Sequence, residues 1–330
     1  MPDDPNIFAF DKNKCLSMTP GSPYWYESPD IHIEGDPAEV IEGTTYTIDV
    51  TVHWSDKGCA VTGFNGIPQD LQFVQFDLYI GEPTLLLNAT PATSTISAVA
   101  AGQACNPAIT PGGTSTTQVS WTPDSTDPHQ APGHKCFAAR CYPATTSPPP
   151  ETGDLTQYMS DQHYCQHNID IEAAGQGGQK RIQIRTGNLL REPQTVTVQV
   201  RPDLNPSREA LASLMPSLRA FPGFKRISNT PLRKISVDFS NFGQQHHEGF
   251  WGEIKDFADE IEDKFEEFFK GHGDTAARAK VRIPPNFVAF FDVNADLSNA
   301  KSGDAFIYRV EQSDAAGVVT GGVSVVFVQP

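Results

Sequence analysis

Positive charge is what this sequence most lacks: 24 Lys and Arg stand against 40 Asp and Glu, a formal balance of -16. Nucleic-acid binding depends on clustered cations that displace counterions from phosphates, so a nucleic-acid partner is excluded as a reading, and an anionic membrane surface is disfavoured. Long apolar runs are also missing. None approaches the roughly 20 residues of a membrane span, and Met1 to Phe10 has no basic region followed by an apolar stretch, so no membrane insertion and no visible secretion signal are expected. Cysteine is absent from the second half, which confines any thiol chemistry to the first.

No G-x-S-x-G elbow, phosphate-cradling glycine loop or dinucleotide fingerprint occurs. His246-His247-Glu248 lacks the second histidine of a zinc protease motif, its place being taken by Trp251. Asp292-x-Asn294-x-Asp296-x-Ser298 opens like a calcium loop but carries Leu297 at the sixth place and Gly303 at the twelfth, so it reads as a strand end and turn. No nucleophile, base and orienting group assemble, and the chain is read as not an enzyme, with no cofactor.

What is present is β text. The 330 residues, with 27 Pro and 26 Gly, suit two domains of ordinary size rich in turns. From Thr44 to Val52, Tyr46, Ile48, Val50 and Val52 alternate with Thr45, Thr47, Asp49 and Thr51, a half-buried strand. Further strands are expected at 71–80, 116–121, 134–142 and 162–171. In the second half they are expected at 180–185, 194–201, 232–239, 279–283, 287–293, 305–312 and 322–328. Residues 88–115 read as a long loop. The fold class is all-β: two tandem immunoglobulin-like antiparallel β-sandwiches, the second with an inserted amphipathic α-helix. The boundaries are an extended arm over 1–36, a sandwich over 37–168, and a second sandwich over 169–330 with a helical insertion at about 205–271.

A short helix is expected over 207–215, closed by Pro216. A longer one over about 248–270 repeats Phe250, Ile254, Phe257, Ile261, Phe265 and Phe268 on one face, with an acidic opposite face and Gly271 as its stop.

The six cysteines are Cys15, Cys59, Cys105, Cys136, Cys141 and Cys165. Their even number suits disulfides, with buried thiols and a metal site as the competing readings. His134, Cys136, His163, Cys165 and His167 would supply soft metal ligands if their two strands paired, although irregular spacing argues for disulfides and structural histidines. Partner contact is expected from Tyr24, Trp25 and Tyr26 of the arm and from Phe250, Trp251 and Phe257 of the long helix.

Several phrases together resemble a known family. Ser28-Pro29-Asp30-Ile31, Trp121-x-Pro123 with Gly133-His134-x-Cys136-Phe137-Ala138-Ala139-Arg140, and Gln166-His167-Asn168-Ile169 resemble a bacterial immunoglobulin-like module of the CARDB, cell-adhesion-related class. Ser302-Gly303-Asp304, Tyr308-x-Val310-x-Gln312 and Gly321-Gly322 are similar to the last strands of another. The resemblance implies spacer, adhesion or accessory units on extracellular proteins.

The functional expectation is therefore a non-catalytic structural or adhesive protein, extracellular or on the cell surface, working through self-association or a protein partner. The alternative is an accessory module binding carbohydrate or peptide through the loops at 88–115 and 143–160, and a metal-dependent hydrolase comes last.

Overall fold

A computed structural model describes residues 7–8, 28, 30–35, 40–54, 74–81, 96–104, 114–124, 126, 136–143, 164–175, 178–188, 192–238, 276–285 and 287–330. Among them are seventeen strands and one helix, and no described helix is long and apolar enough to cross a membrane. The chain divides into two compact units. The first gathers Met1–Glu82, Leu87–Asn168 and Arg208–Ala220, and the second Pro83–Leu86, Ile169–Ser207 and Phe221–Pro330.

In the first unit β3 (Tyr46–Trp54) is the centre of one sheet, flanked on one side by β6 (Thr114–Trp121) and on the other by β2 (Ile31–Ile33) and β1 (Ile7–Phe8). The alternation in β3 is realised as read: Ile48, Val50 and Val52 are fully buried. On the other face Thr51 and Thr116, directly opposite in register, join hydroxyls at 2.9 Å. A second sheet runs β5 (Ile96–Ala104), β4 (Val74–Gly81), β7 (Cys136–Pro143) and β8 (Tyr164–His167). Trp121 of the first sheet meets Phe137 of the second edge-on at 6.0 Å, so one aromatic contact bridges the two layers.

Four expectations change here. The loop read over 88–115 contains β5, whose small residues pair with β4 through a bulge at Leu78/Tyr79; Ala and Gly carry little strand signal, which hid it. The arm read over 1–36 is not free along its length. Ile31 is buried and pairs opposite Val50, and the Ser28 amide donates to the Gln166 carbonyl at 2.7 Å. The strand read over 162–171 is two, because the chain breaks at Asn168 between β8 and β9 (Ile169–Ala173), which belong to different sheets. The short helix, α1 (Arg208–Ala220), runs through Pro216 instead of stopping before it. A proline in a helix forfeits one backbone hydrogen bond, and the buried stripe Ala210, Leu214, Leu218 continues past it at four-residue spacing.

The second unit has a three-stranded sheet, β10 (Gln179–Asn188), β15 (Phe287–Asp296) and β13 (Lys234–Asp238) in the order β10-β15-β13. Its larger sheet runs β14 (Ala277–Ile283), β11 (Gln194–Pro202), β16 (Asp304–Ser313), β17 (Val319–Val328) and β9, with β12 (Arg226–Ile227) beside the start of β16. Ile182, Ile184, Phe291 and Val293 of the small sheet pack with Val198, Val281, Val310, Val325 and Phe327 of the large one in a single apolar core. Two buried amides stitch the layers. Gln312 Nε2 donates to the Gly187 carbonyl at 3.1 Å while its Oε1 accepts from Thr186, and Asn188 Nδ2 donates to the Ile283 carbonyl at 3.1 Å.

The pairing is not antiparallel throughout, as the sequence reading had it: β9 joins β17, and β12 joins β16, in parallel. At the rim Gly178 adopts φ +74, and a Cβ there would lie 2.6 Å from the Ser298 backbone, so no other residue fits.

Candidate functional site

β14 is the described strand at one of the two edges of the large sheet, paired among the described residues with β11 alone. Its seven residues, Ala-Arg-Ala-Lys-Val-Arg-Ile, alternate strictly: Ala277, Ala279, Val281 and Ile283 are buried in the core, and Arg278, Lys280 and Arg282 are exposed. Side chains of one parity on a strand share a face and repeat about every 6.8 Å, so the three cations form a straight stripe. Across the sheet they stand opposite Gln199, Thr197 and Thr195, none of which is charged.

Four arginines of this unit are matched by carboxylates. Arg201 Nε and Nη2 reach Glu311 at 3.1 and 3.2 Å, Arg309 reaches Asp203 at 2.7 Å, Arg226 reaches Asp304 at 2.7 Å, and Arg181 reaches Asp292 at 2.5 Å. Among the described residues no carboxylate engages Arg278, Lys280 or Arg282. An edge strand also presents backbone N–H and C=O groups on its outer side. The arrangement combines a template for another strand with a row of positive charge, on a chain that is acidic overall.

A second feature lies at one end of the same unit, a cavity of about 580 Å³. It is formed by the turn between β12 and β13, the turn between β15 and β16, and the ends of those strands.

The residues singled out from sequence fall as follows. Tyr24, Trp25, Tyr26, Phe250, Trp251, Phe257, His134, His163, Cys15, Cys59 and Cys105 lie outside the described residues, as does the long helix expected over 248–270. β7 and β8 do pair, with Phe137 opposite His167 and Ala139 opposite Cys165. That register sets Cys136 one residue out of step with His167, so the two point to opposite faces. His167 Nδ1 lies 2.9 Å from the Ser28 carbonyl, and Cys136 Sγ meets Asn168 Oδ1. Cys136, offered as a disulfide candidate, is a buried thiol and not half of a bridge. No group of three metal-ligating side chains forms among the described residues.

Asp292 is held by Arg181, and Asp296 Oδ1 accepts the Ser298 amide at 2.9 Å, the strand end and turn the sequence suggested. The stripe on β14 had its signal in the alternation of cation and small apolar residue, which sequence reasoning used only to assign a strand.

No protein-family model matches the chain, and no curated protein does. Among solved structures it is similar to the collagen adhesin of S. aureus at 13% identity, covering 91% of this chain and 92% of that one, with a TM-score of 0.23. It is also similar to the CupB6 tip adhesin from Pseudomonas aeruginosa, at 7% identity over 87% and 91% of the two chains and a TM-score of 0.16. The collagen binding domain of the Erysipelothrix rhusiopathiae surface protein RspB matches at 8% identity over 91% and 96%, with a TM-score of 0.15. TM-scores at this level establish no common fold, and the functional reading rests on the chain's own residues.

Proposed function

We propose that this chain is a non-catalytic adhesive protein, built of immunoglobulin-like sandwiches and working outside the cell or at its surface, that holds a protein partner by strand addition at β14. The observation that carries the reading is the stripe Arg278, Lys280, Arg282 on an edge strand, exposed and without a carboxylate partner among the described residues. Strand addition draws affinity from main-chain hydrogen bonds and specificity from alternate side chains, so the matching partner is an extended segment with acidic residues at every second place. Two β14 strands from two copies set antiparallel would bring cation opposite cation, which disfavours self-association through this edge.

The test uses the full chain on a biosensor with two immobilised eight-residue peptides, one alternating Glu and Val, the other Lys and Val. Saturable binding to the Glu peptide alone is expected, weakening with added salt and lost in Arg278→Glu/Lys280→Glu/Arg282→Glu. Equal binding to both peptides, or an unchanged response in the triple variant, rejects the reading.

A further inference from the structure

The cavity of about 580 Å³ in the second unit falls within the roughly 300–1,000 Å³ usual for small-ligand sites. Part of its lining is already committed to the fold. Arg226 is bound through Nε and Nη2 to Asp304 at 2.7 and 3.4 Å. The β12–β13 turn is tied by Ser228 Oγ donating to the Thr230 carbonyl at 2.9 Å, and by the Leu232 amide donating to the buried Tyr308 hydroxyl at 2.9 Å. These bonds fix the wall in place before any ligand arrives, which lowers the ordering cost of binding.

The rest of the lining supplies charged and polar groups, some of them free of the fold. Arg233 and Lys301 are exposed, line the cavity and have no hydrogen bond or ion pair among the described residues. Asp296 offers carboxylate oxygen, and its hydrogen bonds from the Ser298 hydroxyl and amide hold it below the ordinary carboxylate range, hence ionised at neutral pH. Asn229 and Asn299 add amides, Asn299 Nδ2 already donating to Ser298 Oγ at 3.3 Å. With Arg226 and Asp304 cancelling, two cations face one anion, a local excess of one positive charge on a chain of -16.

We infer that this cavity is a binding site for a carboxylated saccharide, separate from the β14 edge. A single net positive charge suits one carboxylate, taken by Arg233 and Lys301. An ionised Asp296 in the same lining can accept further hydroxyl donors, which a sugar ring supplies, and its charge would count against a phosphate dianion. Of the large apolar lining side chains Leu232 and Phe306 are buried and Ile227 is half-buried, so little apolar surface is offered to a hydrophobic ligand.

The experiment is calorimetric titration of the full chain with a trimer of galacturonic acid, a neutral galactose trimer and inorganic phosphate. Saturable binding of the acidic trimer is expected, with the other two at least about tenfold weaker, as loss of hydrogen bonds to charged groups implies. Arg233→Ala/Lys301→Ala should weaken the acidic trimer about tenfold or more with an unchanged melting temperature, since both residues are exposed and structurally uncommitted. The β14 triple reversal should leave it unaffected, so the two sites fail independently. The inference is overturned if no trimer saturates, if the neutral trimer or phosphate binds as well, if the double variant binds like the parent, or if the β14 reversal abolishes binding.

Discussion

The centre and the edge of the large sheet treat charge in opposite ways. In β16 and β17 nearly every residue is buried on both faces, and each large polar side chain has a partner. Arg309, only 1% exposed, is held by Asp203 at 3.0 and 2.7 Å and by Ser324. Glu311 takes Arg201, and Gln312 crosses to β10. In β14, two strands from β16, three cations project with none among the described residues. Desolvation makes an unmatched charge expensive, so the buried strands could not have kept one. The edge keeps three because they are exposed and incur no such cost, which leaves them available to something else.

Removing the guanidinium at the centre gives the largest effect. Arg309→Ala takes the ion-pair partner from Asp203 and opens a cavity, and should cost about 3–5 kcal/mol in urea denaturation. Next comes Gln312→Ala, which leaves the Gly187 carbonyl without its amide donor; about 1–3 kcal/mol is expected from the same measurement.

Tyr308 follows. Burial pushes its hydroxyl up to about 12. A folded value above the unfolded one, about 10, means the contribution is whole below pH 10 and is lost as pH rises toward 12. Tyr308→Phe should flatten that alkaline slope in melts recorded against pH. Smallest of all should be Arg278→Gln/Lys280→Gln/Arg282→Gln, within about 0.5 kcal/mol per site, because no fold contact is removed. A large loss of stability there would erase the contrast between centre and edge, and a negligible loss at Arg309 would do the same from the other side.

The sequence disclosed these regions unequally. Alternation is a local signal, so the strands at Tyr46 to Val52 and at Val281 and its neighbours are readable directly. Strand order is not local: nothing in Ala-Arg-Ala-Lys-Val-Arg-Ile says that it lies at an edge. Arg309 and Asp203, or Arg201 and Glu311, lie more than a hundred positions apart, and only the fold joins them. The cavity draws Arg226, Arg233, Asp296 and Lys301 from turns and strand ends spread over the second half, so no spacing could announce it. Pro216 misled because a punctuation rule competed with a buried stripe, and the stripe prevailed. β5 was missed because alanine and glycine carry no marked period.

Amide hydrogen exchange on the full chain, with and without the alternating Glu-Val peptide, tests the central claim most directly. Added peptide should slow exchange at those β14 amides that do not bond to β11, and the charge-reversed triple variant should show no change. Unaltered exchange across 277–283 in a sample where the peptide is bound would place the contact elsewhere and contradict the account.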